Sequence, residues 1–150
     1  VTIVPYNTSG EEIIAMKPDG IMLSNGPGDP AENVEVIKEI RKLLYCGIPM
    51  FGICLGHQLT ALAAGGRTEK MKYGHRGTNQ PAKRISDGPE IAKVSFVNVN
   101  DGTCEGIDYE GAPVFTVQFH PEASAGPLDS GSLLDDFMTL IEEVNVNAIK

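Results

Sequence analysis

Ile48 to Leu59 reads IPMFGICLGHQL, and its two halves differ in character. The first is an apolar run of strand length that enters Gly52-Ile53-Cys54-Leu55-Gly56; the second leaves as a helix, so Cys54 stands in the middle of a Gly-x-Cys-x-Gly turn. This is the layout of a nucleophile elbow, whose flanking glycines let neighbouring backbone pass close to the nucleophile with no Cβ in the way. A sulfur at a helix N terminus meets the partial positive charge of the unsatisfied amides, which favours its anionic form, and the amide N–H of Leu55 points toward the reacting centre. A cysteine at a tight turn, taken alone, reads as a small buried hydrophobe, and Cys46 and Cys104 keep that reading. For Cys54 the two glycines and a matching base elsewhere in the chain reverse it.

Outward from this turn, short apolar runs, glycine-rich turns and helix-like stretches alternate. The pattern is that of an α/β protein with an open, mostly parallel twisted sheet flanked by helices. Strands are expected at Val1 to Pro5, Gly20 to Ser24, Pro49 to Ile53, Phe96 to Asn100 and Val114 to Phe119. From Glu32 to Tyr45 the spacing of Val34, Ile37, Ile40, Leu43 and Leu44 predicts a helix with one apolar stripe, stopped by Gly47 and Pro49. Further helices are expected at Leu55 to Ala64 and at Ser132 to Val144, the latter with Leu133, Leu134, Phe137, Leu140 and Ile141 facing inward. The middle, Lys70 to Glu90, is rich in Gly, Pro, Asn, Arg and Lys and reads as loop with weakly defined strands.

The bulk properties narrow the function classes. At 150 residues, 41% hydrophobic and 21% charged, the chain is the size of one domain with one core. A net charge of −8 without any Lys/Arg cluster argues against nucleic acid or an anionic membrane as partner. No apolar run approaches the roughly 18 residues that span a bilayer. Three cysteines, odd in number and far apart, suit free thiols and a cytoplasmic setting better than a disulfide framework. Neither CxxC nor HxxxH spacing occurs, so no metal site is expected.

The matching base lies where the last strand runs into His120-Pro121-Glu122. Pro121 disfavours helical geometry at His120, and in an extended segment residues two apart share a side, so His120 and Glu122 can cooperate. A carboxylate beside an imidazole fixes its tautomer and stabilises the imidazolium. His57 and His75 have no carboxylate so spaced. A third segment, LSNGPGDP from Leu23 to Pro30, is a strand-ending turn in its plain reading. Because Pro27 has no N–H, the amides of Gly26 and Gly28 remain available to a ligand, which makes the segment a candidate oxyanion donor. Pro30 occupies the place of the third glycine of GxGxxG, so this is not a dinucleotide fingerprint.

Together, the Gly-Pro-Gly turn, the GICLGHQ elbow (Gly52 to Gln58) and the terminal His-Pro-Glu resemble the class I, or triad, glutamine amidotransferases, a flavodoxin-like α/β family. Within it, SNGPGDP, KYGHRGTNQP (Lys72 to Pro81) and EASAGPLDSGSLLDDF (Glu122 to Phe137) are similar to the glutaminase subunits of carbamoyl-phosphate synthetases, which serve pyrimidine and arginine biosynthesis. The resemblance implies Cys54 as nucleophile, His120 as general base and acid, and Glu122 as its orienting partner. It implies an oxyanion hole from the amides of Gly26 and Leu55, and contacts from Gly28, Leu55 and Gln58 to the α-amino and α-carboxylate groups of L-glutamine. Ammonia would pass to a synthetase large subunit or domain. ATP and magnesium belong to that partner, and no cofactor is expected in this domain, which has no P-loop pattern.

Against the family pattern, a strand and helix ahead of Val1, a separate upstream domain, and a Ser-Gln-Asn-His-Gly segment near residues 84–95 have no counterpart in the chain. The 150 residues are therefore expected to be an incomplete amidotransferase domain. The alternatives are another class I amidotransferase, a γ-glutamyl cysteine hydrolase, or a catalytically idle docking module. Gln58 and GHRGTNQP weigh against the hydrolase. The intact set of Cys54, His120 and Glu122 weighs against the idle module.

Overall fold

A computed structural model describes residues 1–71, 82–84, 92–121 and 132–148. Its elements are α1 (Gly10–Ala15), β1 (Ile21–Leu23), a 3-10 turn (Pro30–Glu32), α2 (Val34–Leu44), β2 (Met50–Ile53), α3 (Leu55–Ala63), β3 (Ala82–Arg84), β4 (Ala92–Asn98), β5 (Cys104–Tyr109), β6 (Val114–Val117) and α4 (Ser132–Ala148). The strands form one six-stranded sheet in the order β1-β2-β6-β5-β4-β3. β1, β2 and β6 are parallel to one another, while β6/β5, β5/β4 and β4/β3 pair antiparallel. The sheet is thus open, mixed and flanked by helices.

The two-residue period of β2 divides the core. Met50 points to one face, where it packs with Ile40, Leu43 and Leu44 of α2 and Leu59 and Ala63 of α3. Phe51 and Ile53 point to the other, against Val117 of β6 and Leu133 and Phe137 of α4. The ring of Phe51 stacks on Phe115 at 4.5 Å between centroids and meets Phe137 at 5.7 Å. A strand buried on both faces has no reason to alternate polar and apolar residues, and MFGI does not.

The remaining expectations meet the structure unevenly. α2, β2, α3 and α4 fall where periodicity put them. Two residues assigned to apolar stripes are exposed: Val34 in the first turn of α2 and Leu134 beside Leu133 on α4. Residues 1–5 form no strand, and Val1 and Ile3 lie in solvent. β propensity reports fitness for a pleated, half-buried surface, and this segment has no strand beside it. α1 and β5 were not foreseen. α1 carries a capping box in which the Ser9 hydroxyl accepts from the Glu12 N–H and the Glu12 carboxylate accepts from the Ser9 N–H. It docks on α2 through the Gly10 N–H, which donates to the Glu39 carboxylate at 2.7 Å. That bond is the main reason the Glu39 pKa is lowered, ahead of its neighbour Lys42. The segment KYGHRGTNQP lies outside the described residues.

Burial sets the expected cost of cutting into this core. Phe51→Ala removes a ring with no solvent exposure and should lower unfolding stability by about 3–5 kcal/mol. Met22→Ala, on the outer face of edge strand β1 with 48% exposure, should change it by less than about 1 kcal/mol. Urea denaturation of both variants checks the contrast.

Candidate active site

Cys54 lies between β2 and α3 and is the N-cap residue of the helix. Its N–H donates to the Val117 carbonyl at 2.8 Å, and its own carbonyl accepts from the Gln58 N–H at 3.2 Å. Its backbone sits at φ 53°, ψ −104°, a conformation that an L residue rarely adopts and that marks a sharp strand-to-helix turn. The flanking glycines make this possible by close approach. A Cβ on Gly56 would lie 2.4 Å from the carbonyl oxygen of Leu23, and one on Gly52 would lie 2.9 Å from Thr116 Cγ2 and 3.0 Å from the Gly56 backbone. Any side chain at either position would force the elbow off β1 or β6.

Three parallel strands end around this turn. Leu23 stands opposite Gly52, and Ile53 opposite Val117, so the C-terminal ends of β1, β2 and β6 lie side by side. In open α/β sheets this edge is where ligands bind. From the end of β1 comes the Gly26 turn, whose α-carbon lies against Leu55: a Cβ there would meet Leu55 Cδ2 at 2.8 Å. The two residues expected to supply an oxyanion hole are therefore neighbours. Gly28 follows with φ +101° and nothing within 4 Å of a would-be Cβ. From the end of β6 come Gln118 and then His120, both half-buried. Glu122 lies outside the described residues, as does His75.

The side chains nearest the sulfur include one that sequence reasoning missed. Gln118 Nε2 donates to Cys54 Sγ at 3.7 Å, and Gln118 Oε1 accepts from Gln58 Nε2 at 2.8 Å. Gln58, expected at the substrate, thus reaches the Cys54 sulfur through a second carboxamide. The sequence held a faint signal for this, since Gln118 stands at the strand end two residues before His120. Cys54 and Cys46 are partly buried, Cys104 is exposed, and all three are free thiols.

His57 is a structural residue. It is 6% exposed, with Nδ1 2.8 Å from the Thr116 hydroxyl of β6, and burial pushes its pKa down to about 4. It is therefore neutral at pH 7. Among the described residues there is no group of three or more His, Cys, Asp or Glu able to hold a metal ion, and no helix is long and apolar enough to cross a membrane.

The family model for glutamine amidotransferase class-I matches residues 1–91 and 83–140. The carbamoyl phosphate synthase small chain of Staphylococcus haemolyticus (strain JCSC1435) is 52% identical over 162 residues, covering 95% of this chain and 44% of that protein. The carbamoyl phosphate synthase pyrimidine-specific small chain of Bacillus subtilis (strain 168) is 49% identical over 159 residues, covering 95% and 43%. The chain thus spans less than half the length of these relatives. Among solved structures, a putative GMP synthase component from Thermoplasma acidophilum superposes with a TM-score of 0.84 at 18% identity, covering 99% of this chain and 84% of that one. A glutamine amidotransferase from Thermotoga maritima gives 0.55 at 18% identity, covering 83% and 70%. At that identity the likeness speaks for the fold alone.

Two outcomes test the elbow. Gly56→Ala should either abolish folding or leave a folded chain whose Cys54 reacts with iodoacetamide more slowly than in the unsubstituted chain, because a contact of 2.4 Å with backbone cannot be relieved by a side-chain rotation. The second concerns acid. The unfolded chain protonates His57 below about pH 6.5, whereas the fold keeps it neutral to about 4. Its contribution is therefore complete above pH 6.5 and is lost as pH falls toward 4, amounting to about 3 kcal/mol. The urea midpoint of the native protein should fall more steeply between about pH 6.5 and 4.5 than that of His57→Gln.

Proposed function

Because the chain belongs to the class-I glutamine amidotransferase family, we propose that it is a glutaminase domain that delivers ammonia to a synthetase partner forming carbamoyl phosphate. The observation that carries the reading is Cys54 at a strained strand-to-helix turn, beside Gly26 and Leu55 and level with the end of β6. A cysteine so placed stands at the C-terminal ends of the parallel strands, beside Gly26 and Leu55 and next to the end of β6, the strand that precedes His120.

In this reaction the Cys54 thiolate attacks the side-chain amide carbon of L-glutamine. The N–H groups of Gly26 and Leu55 hold the developing oxyanion, a type of contact whose loss typically costs about 3–4 kcal/mol. His120 gives a proton to the departing nitrogen, leaving ammonia and a γ-glutamyl thioester. Water, deprotonated by His120, then cleaves the thioester to glutamate and free Cys54. Glu122 orients His120, and Gly28, Leu55 and Gln58 hold the α-amino and α-carboxylate groups. These steps require no cofactor of this chain; ATP and magnesium act in the synthetase partner. The names of the relatives, carbamoyl phosphate synthase small chain, support the identity of that partner.

We further propose that the chain lacks an internal stretch of the family near residues 84–95. An aligned length of 162 residues exceeds the 150 residues of this chain, and the family match falls in two pieces that overlap at 83–91. The cytoplasm, where thiols stay reduced, suits three free cysteines.

Replacement of Cys54 by Ser keeps the size of the side chain but supplies a hydroxyl with almost no ionised fraction at neutral pH. Glutamine-dependent carbamoyl phosphate synthesis by the complex with its synthetase should fall by at least about 1,000-fold, while synthesis from added ammonium salt persists. Loss of both activities in a complex that remains assembled would contradict a separable ammonia source.

A further inference from the structure

Among the described residues, the carboxamide of Gln118 makes its two side-chain hydrogen bonds at the elbow. An amide donates only through Nε2 and accepts only through Oε1. With Nε2 3.7 Å from Cys54 Sγ, its Oε1 meets the Nε2 of Gln58 at 2.8 Å. The main chain beneath it is fixed as well, because the Gln118 N–H donates to the carbonyl of Glu105, itself 3% exposed, at 2.8 Å.

We propose that Gln118 is a positioning residue that aims the Cys54 sulfur and sets the orientation of the Gln58 amide, so that the nucleophile and the substrate-facing side chain are aligned by one hydrogen-bonded relay. An anionic sulfur can only accept, so it selects the Gln118 orientation with Nε2 inward. That orientation turns Oε1 toward Gln58 and takes up a Gln58 N–H. The Gln58 carbonyl is left to accept from a ligand donor such as an α-ammonium group. The sulfur half of the relay stands on geometry alone; the Gln58 half rests on the glutaminase reading.

The test uses the full chain with two substitutions. Gln118→Met keeps the volume and removes donor and acceptor together. Gln118→Glu keeps an acceptor for Gln58 but removes the donor to sulfur and adds a negative charge beside it. Alkylation of Cys54 by iodoacetamide at neutral pH, with Cys46 and Cys104 separated by mass mapping, reads the sulfur half without any glutamine. The rate should slow about fourfold in Gln118→Met, which withdraws the hydrogen bond that aims the sulfur. It should slow further in Gln118→Glu. The KM for glutamine should rise several-fold in Gln118→Met and stay within about twofold in Gln118→Glu, a split that a merely structural role would not produce. Alkylation at the native rate in both variants would overturn the proposal, as would slowing in Gln118→Met with native rate in Gln118→Glu. If the unsubstituted chain, assembled with its synthetase, fails to turn over glutamine, the glutaminase reading fails while the alkylation rates still decide the role of Gln118.

Discussion

Everything at the strand ends depends on how closely α3 crosses β1. The Gly56 α-carbon presses on the Leu23 carbonyl so tightly that a Cβ would come within 2.4 Å of the oxygen, and Gly52 is pinned against Thr116 and the backbone of the same turn. This contact lets the chain reverse from strand to helix in one residue. That residue is Cys54, at φ 53°. Strain of this kind costs on the order of 1–3 kcal/mol. It is offset locally by Met50 and Phe51, both without solvent exposure on opposite faces of β2, each worth about 1.5–3 kcal/mol of burial. The core under β2 is what holds Cys54 in an unfavourable conformation.

Besides the Gln118 contact to the sulfur itself, three hydrogen bonds tie this turn and the start of α3 to β6 and the residue that follows it. They run from the Cys54 N–H to the Val117 carbonyl, between His57 and Thr116, and from Gln58 to Gln118. The middle one is buried, and burial keeps its imidazole neutral at pH 7, so it serves rigidity rather than proton transfer. The outer two border the sulfur. Because β6 leads directly into His120, the same contacts that orient α3 also fix the distance along the sheet edge between Cys54 and the histidine segment. The parallel half of the sheet builds the site. The antiparallel half, β3 to β5, supports it from the side, with the Glu105 carbonyl of β5 holding the backbone of Gln118.

Much of this was legible in the order of residues. GICLG announced the elbow because only glycine tolerates such crossings, and the stripe Ile37, Ile40, Leu43 and Leu44 announced α2. The Gly-Pro-Gly turn was read as an amide wall for the same steric reason, and Gly26 does stand beside Leu55. Where local patterns were ambiguous the reading failed. VTIV looks like a strand in any window, yet Val1 and Ile3 are exposed. Leu134 continues the apolar run of α4 but points outward, since the 3.6-residue period gives the inward face to Leu133 and Phe137.

The sequence by itself determined the strand-to-helix turn around Cys54 and the helices that pack beneath it, because those follow from local sterics and periodicity. Only the tertiary structure decided which polar groups meet. Gln58 and Gln118 are far apart in the chain, as are His57 and Thr116, and nothing in their spacing marks them as partners. Strand order and register alone bring the β6 end to the elbow, setting Ile53 opposite Val117 and so Cys54 within reach of Gln118. Pairing across a sheet is a long-range choice made by the whole core, and a residue that acts through its neighbour in space leaves no pattern in its neighbours along the chain.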